Sequence, residues 1–200
     1  VDSKNPLVIR ANIQRLASLV REAGVDIIHA RSRAPAWSAH AAAQRTGCHF
    51  VTTVQGIHGT DFALKRRYNA IMTRGELVIT NSRFTAEHVI EMYQADPARI
   101  RIIHRGVDLD VFIPEAVSSA RIIGLAERWR LPDGAPVVML PGRLTSWKGH
   151  HLLIEAIERL GRRDICCVFV GEEKERGNYR SALERDIERR GLGGVVRLVG

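Results

Sequence analysis

The chain has 200 residues, 45% hydrophobic and 26% charged. That is room for one large or two small domains at about 100–200 residues each, with a globular composition that argues against disorder and collagen-like repeats. No apolar run approaches the roughly 18–20 residues that span a bilayer, no basic and apolar leader opens the chain, and three cysteines make no disulfide framework. Lys and Arg outnumber Asp and Glu by 30 to 22, a net charge of +8, yet the excess divides into +5 over residues 1–114 and +3 over 115–200. A dispersed excess does not make a nucleic-acid groove, so no nucleic-acid partner is expected; anionic small molecules and an anionic membrane surface both suit it.

Asn5-Pro6 predicts a helix start, and Ile9, Ile13, Leu16 and Val20 recur at helical spacing up to Gly24. Residues 25–30 read as a buried strand, an alanine-rich helix follows over about 35–45, and His49 to Thr53 is β-branched and aromatic, hence a strand. A helix near 68–73 leads to a strand at 77–80. Ser82 then caps a helix running to Gln94, and 100–103 is the next strand. Gly106 to Pro114 holds Gly, two Asp and Pro in one short stretch, the composition of a linker. Beyond it come a helix at 118–130, a strand at 137–140, a helix at 149–160, a strand at 165–170, a helix at 179–190 and a strand at 195–199. Alternation of this kind with near-continuous apolar strands predicts α/β architecture, doubly wound parallel sheets covered on both faces. Because the chain opens directly on a helix and stops after a strand, it reads as a fragment.

In open parallel sheets, ligands bind beyond the carboxyl ends of the strands. The richest loop there is Pro141-Gly142-Arg143-Leu144-Thr145-Ser146-Trp147-Lys148-Gly149. Gly142 permits close backbone approach, Arg143 offers a bidentate fork, Lys148 a point charge, and the following helix a positive dipole end with free N–H groups. Those parts suit a diphosphate; the alternative is a solvated loop with two unrelated cations.

The pattern P-G-R-L-T-x-x-K-G followed by Leu152, Leu153, Ile154, Glu155 and Ala156 resembles the second-domain entry motif of family-4 (group 1) glycosyltransferases, GT-B enzymes built from two Rossmann-like domains. His104-Arg105-Gly106-Val107-Asp108 with Phe112 and Pro114 is similar to the stretch closing their first domain. Asn81-Ser82 with Phe84 and Thr85 resembles an earlier helix start, and Val170-Gly171 through Val196 to Gly200 resembles the next strand–helix–strand. Four motifs in order carry the likeness from about Asp26 to Gly200. It implies a partial acceptor-side domain over 1–113 and the first half of a nucleotide-sugar-binding domain over 114–200, both incomplete. It further implies transfer of a sugar from a nucleoside-diphosphate sugar to an acceptor hydroxyl with retention, without metal or cofactor. Arg143 and Lys148 would stabilise charge on the leaving diphosphate, with Gly142, Gly149 and Gly171 letting the donor approach the backbone. Family habit adds a glycan or lipid-linked acceptor, a surface polysaccharide or lipid-linked glycan as product, and a cytoplasmic location with peripheral membrane contact. The family's two-glutamate motif and its glycine-rich acceptor loop are expected outside residues 1–200.

One stretch departs from the pattern. Many members carry a sugar-facing histidine after the strand matching residues 50–54; here the sequence reads Thr53-Val54-Gln55-Gly56-Ile57-His58-Gly59. Gln55 holds the matching position and can donate a hydrogen bond to a sugar hydroxyl but cannot shuttle protons, which His58 can do if its loop turns inward. Other residues have bland readings. His150-His151, adjacent on a helix, cannot form a metal pair, and Cys166 and Cys167 alternate across a buried strand. Lys65-Arg66-Arg67 reads as a solvated turn, although Phe62, Leu64 and Tyr68 beside it also suit an anionic membrane surface. The functional expectation is therefore a retaining glycosyltransferase. The alternatives are a non-catalytic nucleotide- or glycan-binding module, favoured by Gln55, and a nucleotide-sugar epimerase on the same fold.

Overall fold

A computed structural model describes residues 5–57, 63–173 and 177–200. The chain divides into two units, Val1–Val107 and Asp108–Gly200, a division that falls inside the Gly106–Pro114 stretch.

In the first unit, Asn5 starts α1 (Pro6–Ala23) by accepting the Leu7 N–H at 2.9 Å, and Gly24 ends it with its N–H on the Val20 carbonyl. Then come β1 (Ile27–Ala30), α2 (Arg33–Thr46), β2 (His49–Val54), α3 (Ala63–Asn69), a 3₁₀ turn over Ala70–Thr73, β3 (Leu77–Thr80), α4 (Arg83–Tyr93) and β4 (Ile100–Ile102). The four strands pair in parallel in the order β1-β2-β3-β4, with Ile27 opposite His49, Val51 opposite Leu77 and Val78 opposite Ile100. Period-two burial is clear in β2: Phe50, Thr52 and Val54 are buried, and Val51 and Thr53 only half so. The buried alanines Ala36, Ala39 and Ala43 of α2 let this helix sit close to that buried face, where Ile71, Met72, Val78 and Val89 complete the core. The one buried hydroxyl of β2, Thr52, donates to the Met72 carbonyl at 2.6 Å, which offsets its desolvation.

The structure corrects one local reading. Lys65-Arg66-Arg67 lies within α3, not in a turn. Leu, Lys and Arg are good helix formers, and residues 63–67 of this helix are all exposed. Phe62, the apolar neighbour in the membrane reading, lies outside the described residues. No helix among the described residues is long and apolar enough to cross a membrane.

The second unit contains α5 (Ser119–Trp129), β5 (Val137–Pro141), α6 (His150–Leu160), β6 (Cys166–Val170), α7 (Tyr179–Arg189) and β7 (Val196–Val199). Its strands are parallel in the order β5-β6-β7. Central β6 is buried through Phe169, and Leu144, Ile154, Ile157, Leu183, Ile187 and Leu192 pack around it. Cys166 and Cys167 are free and buried, and burial first, then the neighbouring Cys166, pushes the Cys167 thiol up to about 11.

Asp186, 5% exposed, ties α6 to α7. It hydrogen-bonds His151 Nδ1 at 2.9 Å, accepts from Arg190 Nε at 2.9 Å and pairs with Arg189, while Arg190 also pairs with Glu158. Burial pushes this carboxyl up, but the hydrogen bonds from His151, Arg190 and Arg189 outweigh it and hold the group at about 2. A folded value below the ordinary 3.8 means stabilisation that is present above the unfolded value and lost as pH falls towards 2. D186N is therefore expected to lower the unfolding free energy at pH 7 by about 2–3 kcal/mol. Urea titrations should show the gap to the unaltered chain closing as the pH is taken below about 4.

Candidate functional site

Both parallel sheets present loops at the carboxyl ends of their strands, where chain direction also places the N-termini of the following helices. In the second unit, three backbone bonds stitch these loops together. Gly142 N–H donates to the Val170 carbonyl at 2.8 Å, Leu144 N–H to Glu172 at 3.1 Å, and Gly171 N–H to Val199 at 3.2 Å. Leu144, 2% exposed, pins the middle of the loop into the core. The result is a short, fixed crossing from β5 into a 3₁₀ turn over Ser146–Lys148, then Gly149, then α6.

Two glycines make this crossing possible. Gly142 and Gly171 have φ of 156° and 150°, and a Cβ on Gly171 would lie 2.2 Å from the Gly142 carbonyl oxygen. The two backbones touch, and no side chain fits between them.

Arg143 and Lys148 are both exposed on this loop. Arg143 makes no side-chain hydrogen bond or ion pair among the described residues. The Lys148 ammonium sits 4.4 Å from the centre of the Trp147 ring, a cation–π contact on an indole that is itself 68% exposed. Among the described residues, neither cation has a carboxylate partner.

The two helix starts at this end of the sheet differ. At α7, Glu173 accepts from the Tyr179 N–H at 2.5 Å and from the Arg180 N–H at 3.3 Å, so the chain's own carboxylate already occupies that N-terminus. At α6, Gly149 provides no side-chain cap, and the first-turn N–H groups stay open beside Arg143 and Lys148. An anion entering this unit therefore meets an open helix start and two cations in the same loop.

Beneath the loop, His150 is fully buried, with its ring edge-on to Phe169 at 5.1 Å and Tyr179 at 5.7 Å. Burial lowers its pKa, outweighing the Thr145 backbone, which favours the protonated ring, so this imidazole is neutral at pH 7. His151 turns away to Asp186. Among the described residues, no group of three or more His, Cys, Asp and Glu side chains is placed to hold a metal ion.

In the first unit, Gln55 follows β2 directly and is half-buried. Its side-chain oxygen accepts from Arg105 Nη2 at 2.5 Å, and its backbone carbonyl accepts from Asn81 Nδ2 at 3.1 Å. The Asn81 carbonyl meets His104 Nδ1 at 3.2 Å. The loops after β2, β3 and β4 are thereby tied together, and β1 joins through His29 Nε2 to Thr53 Oγ1 at 2.7 Å. His58 lies outside the described residues. Of the residues proposed from sequence, Gly142, Arg143, Lys148, Gly149 and Gly171 come together in the second unit, whereas Gln55 belongs to the first. Sequence reasoning missed Glu173 as the cap of α7, Trp147 as the seat of Lys148, and Arg105 as the partner of Gln55. Trp147 beside Lys148 and Glu173 a few residues ahead of a helix were local signals, whereas Arg105 lies 50 positions from Gln55 and gave none.

Comparison with known proteins gives the family and the fold. The family model for Glycosyltransferase Family 4 matches residues 1–111, and that for Glycosyl transferases group 1 matches residues 125–200. A D-inositol 3-phosphate glycosyltransferase from Nocardioides sp. is 33% identical over 90 residues, 45% of this chain and 19% of the relative. The enzyme of that name from Stackebrandtia nassauensis is 28% identical over 147 residues, 68% of this chain and 32% of its own. A crystal structure of a glycosyltransferase from Rickettsia africae superposes with a TM-score of 0.86 at 36% identity, over 100% of this chain and 53% of that one. Anabaena HepE in complex with UDP shares the fold, with a TM-score of 0.80 at 22% identity over 94% and 51% of the two chains. The chain thus spans about half the length of these solved structures and a smaller share of the curated relatives.

Proposed function

Because this chain belongs to Glycosyltransferase Family 4, we propose that it serves a GT-B transferase that moves a sugar from a nucleoside-diphosphate donor to an acceptor hydroxyl with retention. The observation that carries this reading is the loop 142–149, where two exposed cations without carboxylate partners flank an uncapped helix start. As the bond from the anomeric carbon to the diphosphate oxygen breaks, negative charge grows on the phosphates. Arg143, Lys148 and the first N–H groups of α6 stabilise that charge more than they stabilise the bound donor. The touching glycines 142 and 171 leave room for the diphosphate to lie against backbone. The UDP complex of the Anabaena neighbour favours a uridine nucleotide as the first donor to test. For the acceptor, the names of the matched relatives favour a phosphorylated polyol over the surface polysaccharide or lipid-linked glycan of family habit.

The test is twofold. UDP should bind the chain saturably, and transfer from a UDP-sugar should proceed equally well in excess EDTA, because in this reading fixed cations do the work of a metal. Transfer that vanishes with EDTA and returns with magnesium or manganese would replace this reading with a metal-assisted one.

A second reading, a non-catalytic binding module, is favoured by Gln55 standing where many family members have histidine, and turnover separates the two. If Gln55 contributes a neutral hydrogen bond, Q55A is expected to slow transfer by about tenfold or less. H58A should leave both limbs of the pH–rate profile in place. A loss of about 10²–10⁴ in H58A, with one limb gone, would move the proton-related role to His58.

A further inference from the structure

His150 opens α6 directly behind the loop 142–149 and is fully buried. Both of its ring nitrogens are buried without a hydrogen-bond partner among the described residues, and so is the hydroxyl of Tyr179, whose ring packs on it. Burying a polar group without a partner destabilises a fold, and an apolar side chain of similar size avoids that cost. An imidazole kept in such a place, one residue from an open helix start, calls for a use.

The groups that face this ring set its charge. Burial first, then the like charges of His151 on the same helix and Lys148 on the loop, oppose a proton, and the positive end of the α6 dipole acts in the same sense. From β6 comes Phe169 and from α7 Tyr179, edge-on with 72° and 70° between ring planes. Neither is charged at pH 7, since burial pushes the Tyr179 phenol up. The Thr145 backbone favours a proton on the ring. Its carbonyl also accepts the Lys148 N–H at 3.1 Å, and a carbonyl has a second lone pair for a ring N–H. A protonated His150 would therefore brace the turn that carries Lys148.

A diphosphate on the α6 start reverses this balance. It brings negative charge to the residue next to His150, and beneath the loop that charge is poorly screened. The π faces of Phe169 and Tyr179 suit an imidazolium as well as an imidazole. We infer that His150 is a charge-compensating positioning residue of the proposed donor site: it binds a proton from solvent when a diphosphate settles on the α6 start and releases it when the diphosphate leaves. The inference rests on the donor reading of the loop 142–149.

The test uses UDP-glucose, a diester whose phosphates do not themselves titrate near pH 7. Ring signals of His150 are followed against pH with and without it, and calorimetry in buffers of different protonation enthalpy counts the protons bound. UDP-glucose should raise the His150 midpoint by about one unit or more. Affinity should rise about threefold from pH 8 to pH 6, and both the rise and the proton uptake should be lost in H150L. H150L should unfold at no lower urea concentration than the unaltered chain, because it removes two unpartnered nitrogens. A His150 midpoint that bound UDP-glucose leaves in place, or proton uptake that persists in H150L, overturns the inference. Should H150L not fold, the ring signal of the unaltered chain decides alone. If UDP-glucose does not bind, the donor reading has failed, and sulfate, a non-titrating anion, replaces it: a midpoint raised by sulfate upholds the proton coupling, and one unmoved at high sulfate overturns it.

Discussion

Turnover with a nucleotide-sugar donor is expected to fall by at least 10²-fold, about 2.7 kcal/mol of transition-state stabilisation, in R143A and in K148A. The size follows from where the charges stand. Both side chains are exposed and, among the described residues, unpaired with carboxylates, so no internal salt bridge absorbs the loss, and each substitution removes a positive charge from beside the proposed diphosphate. Stability should hardly change, because neither side chain packs in the core. The Lys148 ammonium sits over Trp147, 4.4 Å from its ring centre, and its stem passes Gly142. K148R separates charge from shape. A guanidinium keeps the cation, and its recovery of most of the activity would show that charge is the main contribution. Near-unaltered turnover in R143A or K148A, with a normal unfolding curve, would remove that residue from the diphosphate role.

The second large effect is expected from one added methyl group. In G171A the new Cβ would stand 2.2 Å from the Gly142 carbonyl oxygen and 2.8 Å from its carbon. Backbone atoms tied by the Gly142–Val170 hydrogen bond at 2.8 Å cannot move aside as a flexible side chain does. With φ at 150° also unfavourable for alanine, G171A should cost about 2–4 kcal/mol of stability and reduce UDP affinity at least tenfold by displacing the loop after β5. G142A is the comparison. Its Cβ would meet only Lys148 Cδ and Cε at 3.7 and 3.8 Å, ordinary contact, so its effect should be confined to φ strain of about 1–2 kcal/mol. Urea unfolding and UDP titration of both variants check the contrast, and equal effects would mean that the backbone contact is not what holds the two loops together.

Much of the architecture was legible without coordinates because its causes are local. The Asn5 cap, the period-two burial of 50–54 and the Gly24 stop are decided by neighbours within a few residues. The error over Lys65-Arg66-Arg67 has the same origin: a charge run suggests a turn, but helix propensity and the following Tyr68-Asn69 carried α3 through it. The loop 141–149 proposed for the diphosphate was legible as a loop too, since its glycines, its cations and the helix after it are contiguous.

What the sequence alone determined is therefore the alternation of strands and helices, the parallel α/β class, and the loop 141–149 with Arg143 and Lys148 at a helix start. Tertiary structure decided which of those groups are available. Arg105 meets Gln55 across 50 positions of sequence, and Asp186 gathers His151 from 35 positions away. Glu173 closes the start of α7, so that of the two helix starts at the carboxyl end of the second sheet α6 stays open to an anion. Side-chain reach and carboxylate pairing are set in space, and a linear pattern carries no distance between residues that the fold brings together.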